Sequence, residues 1–192
     1  MKNAGLIALI SSFLFACGGS SPSKSEAIIL FAENSDNWSV EGEADWSFEN
    51  AELVGIADSA AGLVISKASF KDFELNLEFK PDSTVNSGVF ARCEDAPSAG
   101  NCYELNIWDL HPNQDNRTGA VVTIAVPLAQ VQSLNKWNTY KIICQGSRIQ
   151  AWVNGTQTVD LVNELHEKGP IALQAASVGE IRFRNVEVSV FE

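Results

Sequence analysis

Residues 70–80 read FKDFELNLEFK. Phe73, Leu75, Leu77 and Phe79 alternate with Glu74, Asn76 and Glu78, and successive side chains of a strand point to opposite faces. The segment is predicted as an antiparallel strand with one face on a core and the other in water. Pro81-Asp82-Ser83 ends it. The pattern continues outward in both directions. Upstream, strand-like runs lie at 27–33, around Trp38 and Val40, and at 46–48, 52–55 and 61–66. Downstream they lie at 119–126, 137–144, 148–153, 156–162, 171–174 and 181–191, with a loop or single helical turn over 127–135. Asn154-Gly155 is a strong two-residue hairpin signal. No stretch sustains helical periodicity. About eleven or twelve short strands with frequent turn signals predict an all-β fold, a two-sheet antiparallel sandwich.

The densest chemistry lies at 86–111, reading NSGVFARC, an eight-residue loop over 94–101, then CYELNIWDLH. Leu105 and Ile107 alternate with Glu104, Asn106 and Trp108, which places a carboxylate, an amide and an indole on one strand face. Such a face is poor core material. It suits a sugar, because the polar groups bond hydroxyls while the indole covers the C–H face. Cys93 and Cys102 flank a Pro/Gly/Ser/Asp loop and are expected to pair in an oxidising compartment. Cys144, in YKIIC, reads as a buried free thiol.

The N-terminus reads as an export signal. Lys2 precedes a mainly apolar run too short to span a bilayer. Leu14-Phe15-Ala16-Cys17 resembles the lipobox of bacterial lipoproteins. That resemblance implies cleavage after residue 16, a lipidated Cys17, a flexible tether over 17–26 and a domain over 27–192 in the bacterial cell envelope. Gly18 stands where an aspartate would retain a lipoprotein at the inner membrane, so an outer-membrane anchor facing periplasm or cell surface is expected. The formal charge is −11, and losing Lys2 makes it −12. An acidic chain without a basic cluster argues against nucleic acid and against anionic lipid headgroups as partners.

DFELNLEFK, NSGVFARC, YELNIWD, RTGAV, KWNTYKIICQGSRIQAWVNG and GPIALQ…GEIRFRNVEV occur in that order. Together they resemble the 3-keto-disaccharide (3-keto-glycoside) hydrolase family, formerly domain of unknown function 1080, over about residues 28–191. The resemblance implies a concanavalin A-like or laminin-G-like jelly roll acting on an oxidised disaccharide or glycoside. An oxidised C3 makes the C2 hydrogen acidic, so a base can drive elimination at C1 before water adds. Two carboxylates across an oxocarbenium ion are not needed. Asn106 stands where the family usually has a longer amide, and FAENSDNW replaces the usual opening.

Glu104 is the first candidate for base or acid; a solvated or Arg92-paired strand residue is the alternative. Arg92 is a candidate to polarise the ketone, although strict register from the two cysteines puts it on the other face from Glu104. Asp109 and His111, at the strand end, are assisting candidates, with a solvated loop histidine the simpler reading of His111. Asn106, Trp108, Asn86, Ser87 and Thr118 are candidate substrate contacts. His166 reads as a surface residue without a partner, and Trp137 and Trp152 as core or hairpin packing. Asp109, His111, Asn113 and Asp115 alternate as in a calcium loop, but Gln114 and Ala120 break that pattern. No catalytic metal or cofactor is expected, a structural calcium being the one left open. No GxSxG elbow, HExxH or phosphate-binding glycine loop occurs. The competing functions are a non-catalytic sugar-binding module on the same face and an adhesion or assembly protein.

Overall fold

The computed structural model of the chain describes residues 23–94, 97, 98 and 100–192. The segment read as a leader, Cys17 and residues 18–22 of the expected tether lie outside the described residues. Twelve strands follow in order: β1 (Ile28–Ile29), β2 (Trp38–Gly42), β3 (Asp45–Glu49), β4 (Glu52–Asp58), β5 (Gly62–Ser66), β6 (Phe73–Pro81), β7 (Val85–Ala91), β8 (Tyr103–Ile107), β9 (Asn138–Gln145), β10 (Arg148–Val153), β11 (Thr156–Val162) and β12 (Ala172–Val190). The strand pairs are antiparallel. They form two sheets that share β12. The larger runs β11-β10-β9-β6-β12-β4-β3, with β1 beside the end of β12, and the smaller runs β2-β5-β12-β7-β8.

The alternation of β6 does what its sequence predicts. Phe73, Leu75, Leu77 and Phe79 are all buried and share one core with Tyr140, Ile142, Ile149 and Phe183 of the larger sheet. Val64, Val89, Tyr103, Leu105, Ile107 and Leu173 of the smaller sheet meet them there. Each such side chain contributes about 1.5–3 kcal/mol of transfer free energy. Cys144 is a free, buried thiol, and Cys93 and Cys102 are bonded.

Three segments differ from the sequence reading. The runs read at 171–174 and 181–191 are parts of one 19-residue strand, β12, over Ala172–Val190. Its first part pairs with β5 and β7, its second with β4 and β6. Ser177 (φ 64°) and Gly179 (φ 133°) turn the backbone where it changes sheets. Residues 119–126 are not a strand: Val121 bridges Leu105 and Ala125 around Thr123 at φ 63°. Residues 127–135 are a loop, one of the two readings of that segment, and a 3-10 turn lies at Gln114–Asn116. The end of the segment expected to be a flexible tether is bonded to the domain, since Ser25 N donates to Val190 O (2.8 Å).

The change of sheets depends on one glycine. Asp82 accepts from the backbone N–H groups of Thr84, Val85 and Glu180. A Cβ on Gly179 would lie 2.5 Å from Thr84 Oγ1 and 2.6 Å from both Asp82 oxygens. Gly179→Ala is expected to destabilise the fold by about 3 kcal/mol, through forbidden φ and lost packing together. Urea denaturation measures this; a loss under about 0.5 kcal/mol would show that the crossover relaxes freely.

Candidate functional site

Register decides which side chains share the outer face of the smaller sheet. Phe90 pairs with Glu104, Gly88 with Asn106 and Ala91 with Tyr103. On the other side of β7, Ala172 pairs with Phe90 and Ala176 with Asn86, which sets Gln174 beside Gly88. Leu63 lies opposite Gln174 on β5. Leu105, Ile107, Val89 and Leu173 point into the core. Glu104, Asn106, Asn86, Gly88 and Gln174 therefore face outward together.

The Glu104 side chain is 8% exposed and, among the described residues, makes no hydrogen bond or ion pair. Burial alone pushes its carboxyl up to about 7. Gly88 provides the room for it, because a Cβ there would sit 3.3 Å from Glu104 Cγ and 3.4 Å from Oε1. Phe90, Ile65 and the Cys93–Cys102 disulfide form an apolar cluster beside it on the same face. Its main chain is held by β7 on one side and by Val122 N–H on the other (3.0 Å). A carboxyl that is dry, uncharged by neighbours and held on a sheet can exchange a proton near neutral pH.

Gln174 escaped the sequence reading. Its Oε1 is buried without a hydrogen-bond partner. In GPIALQ it looks like one more alternating strand residue, and only the pairing of β12 with β7 sets it across Gly88 from Asn106. Asn86, half-buried, also makes no side-chain hydrogen bond among the described residues. Asn106 is committed: its Nδ2 donates to Asn116 O and its Oδ1 accepts from Ile107 N (3.0 Å), so it ties the next loop to β8.

Other candidates serve the framework. Ala91, not Arg92, lies opposite Tyr103, and Arg92 leaves the strand at φ 56°. Its buried guanidinium donates to Lys71 O (2.8 Å), Gly146 O (2.8 Å), His166 O (3.4 Å) and Asp72 Oδ1 (3.2 Å). The structure does not bring Arg92 to Glu104. Asp109 is buried and accepts from Ser133 N (2.7 Å) and Ser133 Oγ (2.8 Å), which pins the 127–135 loop. Ser87 faces the core side and donates to Gln174 O (2.7 Å). Thr118 is buried with Oγ1 unpartnered.

Trp108 and His111 meet edge to face at 4.5 Å. Four residues at about 3.3 Å each separate Trp108 from Glu104 by roughly 13 Å along the strand direction. His111 Nδ1 accepts from Asn113 N (3.0 Å), leaving Nε2 to carry the proton of the neutral ring. Asn113 Oδ1 accepts from Asp115 N to cap the 3-10 turn, so the loop's alternating polar residues bond one another. Among the described residues, no group of three or more His, Cys, Asp or Glu side chains is placed to hold a metal ion.

The surface reading of His166 is corrected, and of the two readings of Trp152 the structure gives hairpin packing instead of core. His166 is buried, packs edge to face on Tyr103 (5.0 Å) and has Nδ1 3.3 Å from Glu94 Oε1. Burial followed from Tyr103 OH, which accepts from His166 N (3.1 Å), a long-range contact without a local signal. Trp152 lies half-exposed on the outer face of the larger sheet, opposite Lys141.

Solved structures share the architecture. A Parabacteroides distasonis protein, assigned by inference as a glycosyl hydrolase, is 25% identical, with TM-score 0.71 over 85% of this chain and 98% of that one. A second from that organism is 16% identical, with TM-score 0.70 over 81% and 89%. The Bacillus subtilis carbohydrate-binding module CBM66 is 19% identical, with TM-score 0.62 over 80% and 95%. A galectin-like Bacillus subtilis protein also matches, in keeping with a jelly roll. No curated protein matches the chain. The sheet pairing, the outward polar face and the sequence agree, and by a match over residues 26–189 the chain belongs to the family of 3-keto-alpha-glucoside-1,2-lyase-like domains.

Proposed function

We propose that the chain cleaves 3-keto-glycosides by elimination, with Glu104 as the proton-transfer group. The observation that carries this reading is a buried carboxyl, poised near pH 7 by desolvation alone, on the outward face of the smaller sheet. The Glu104 carboxylate takes the proton from C2, and that electron pair forms the C1=C2 bond conjugated with the C3 ketone. The C1–O bond breaks, the departing oxygen takes the proton now on Glu104, and the aglycone leaves as an alcohol with the carboxylate restored. Water addition across C1=C2 then gives the free 3-keto sugar. A lyase would release the enone before that step.

The scheme needs one carboxyl. The next carboxylate on this face is Glu41, opposite Leu63 and four strands from Glu104, roughly 19 Å away at about 4.8 Å per strand. A two-carboxylate glycosidase needs about 5–10 Å. Gln174 Oε1 and Asn86 supply hydroxyl partners, and Trp108 with His111 supplies a platform for the distal ring. Cys17 holds the domain at the outer membrane through lipid in this reading.

A specific observation favours a non-catalytic sugar-binding module as the second reading: Arg92 and Asp109 are both committed to the framework. The two separate on one assay. The protein is incubated with a 3-keto-disaccharide and with the same disaccharide unoxidised. Release from the keto substrate alone is expected; saturable binding of either sugar without release would leave the binding module.

Gln174 gives an independent check on the sugar contact. Gln174→Leu removes a buried acceptor that has no partner, so stability is expected to rise by about 1 kcal/mol. KM for the keto substrate is expected to rise about tenfold with kcat little changed, since a hydrogen bond made equally in ground and transition states is lost. An unchanged KM would remove Gln174 from the site.

A further inference from the structure

The outer face of the larger sheet carries a trough of about 550 Å³, within the usual range of roughly 300–1,000 Å³ for ligand sites. We propose that this trough is a second, non-catalytic saccharide-binding site, for a neutral oligosaccharide of two or three rings. It lies on the opposite sheet from Glu104 and stands whether or not the elimination reading holds.

One cross-strand row builds it. Trp152 of β10 pairs with Lys141 of β9, Lys141 with Asn76 of β6, and Asn76 with Glu187 of β12. Three strand spacings separate the ends, roughly 14 Å. Two residues along, the short Thr139 lies opposite Glu78, which leaves the hollow between the rows. A β-bulge between Arg184 and Glu187, with Asn185 at φ 51°, swings Asn185 over the trough to donate to Glu78 Oε1 (2.7 Å). Bulges re-aim side chains in this way.

The lining selects the ligand. Trp152 offers an indole at one end, with the Lys141 ammonium 5.7 Å from the ring centroid. The rest is polar, so an apolar peptide finds no continuous surface. Lys141 is drawn to Glu74 (3.1 Å) and Glu78 to Arg184 (2.6 Å), and among the described residues Glu187 makes no ion pair. An anionic polymer meets net repulsion, and a cation meets one carboxylate. A neutral polyol can stack its C–H face on Trp152 while Glu187 accepts from hydroxyls and the Asn76 and Asn185 amides bond the remainder.

The test is an NMR titration of the full-length protein with maltotriose and, separately, cellotriose, following the indole N–H resonances of the five tryptophans. At least one sugar is expected to shift the Trp152 resonance saturably. Glu187→Ala, at an exposed position, is expected to weaken that binding about tenfold. Trp152→Ala is expected to weaken the binding at least as much, read from the amides of Asn76 and Asn185. Trp108→Ala is expected to leave it unchanged. No saturable shift at Trp152 with either sugar, or wild-type affinity retained in either Glu187→Ala or Trp152→Ala, would overturn the proposal.

Discussion

Glu104→Gln is expected to abolish release of the aglycone from a 3-keto-glycoside, by about a thousandfold, and at the same time to make the protein more stable at pH 8. The loss follows from the chemistry. Gln keeps the shape and buried volume but cannot accept the C2 proton, and a positioned base contributes about 10²–10⁴-fold. The wild-type rate should rise with pH and level off above about 7, as the base form of Glu104 becomes fully populated.

The gain in stability follows from linkage. Burial raises the folded-state carboxyl from its ordinary 4.5 to about 7. Below pH 4.5 it is protonated both folded and unfolded and has no effect. Between 4.5 and 7 the unfolded chain ionises while the folded chain retains the proton, so stability falls as pH rises. Above 7 the cost is constant. The shift corresponds to about 3 kcal/mol at about 1.4 kcal/mol per unit. Glu104→Gln removes this term, so it should be near neutral at pH 4 and stabilising by up to about 3 kcal/mol at pH 8. Urea melts at the two pH values measure it. An equal difference at pH 4 and pH 8 would mean that Glu104 titrates normally and is no poised base. Activity lost together with stability at pH 8 would assign it a structural part.

The fold was legible because period-two alternation and turn residues are local signals. Phe73 to Phe79 could be placed from their spacing alone, and the structure buries each of them. Glu104 and Asn106 were legible for the same reason, as polar groups on a strand whose other face is apolar. What the sequence hid is non-local. That β12 serves both sheets depends on Asp82 capturing Glu180 N from 98 positions away. That Gln174 faces Glu104's neighbourhood depends on strand order, which periodicity does not specify. Arg92 and Asp109 looked chemical because charged residues beside a polar strand usually are. Their acceptor and donor partners, Gly146 and Ser133, lie 54 and 24 positions off. His166 was misjudged likewise, since the Tyr103 contact that buries it spans 63 positions.

Arg92 carries the second large effect, in stability. Its guanidinium is 1% exposed and bonds three carbonyl oxygens and the Asp72 carboxylate, joining the segment before β6, the β9–β10 turn and the loop before β12. Asp72 also accepts from Gly146 N (2.7 Å), so the pair closes a small network. Replacing Arg92 by Met retains bulk but leaves these acceptors without a donor, a loss of about 3–4 kcal/mol. At about 2–4 °C per kcal/mol for a chain of this size, the melting temperature should fall by roughly 10 °C. Arg92→Lys should lose most of this too, because one ammonium cannot reproduce a fork that reaches four acceptors. The decisive comparison is kinetic. A framework role predicts that kcat of the folded Arg92→Lys protein at 15 °C stays within about twofold of wild type while the melting temperature drops. A residue polarising the substrate ketone would do the reverse, lowering kcat about a hundredfold or more, as the loss of one oxyanion donor does, with little thermal cost. The four bonds already made by this side chain favour the first outcome.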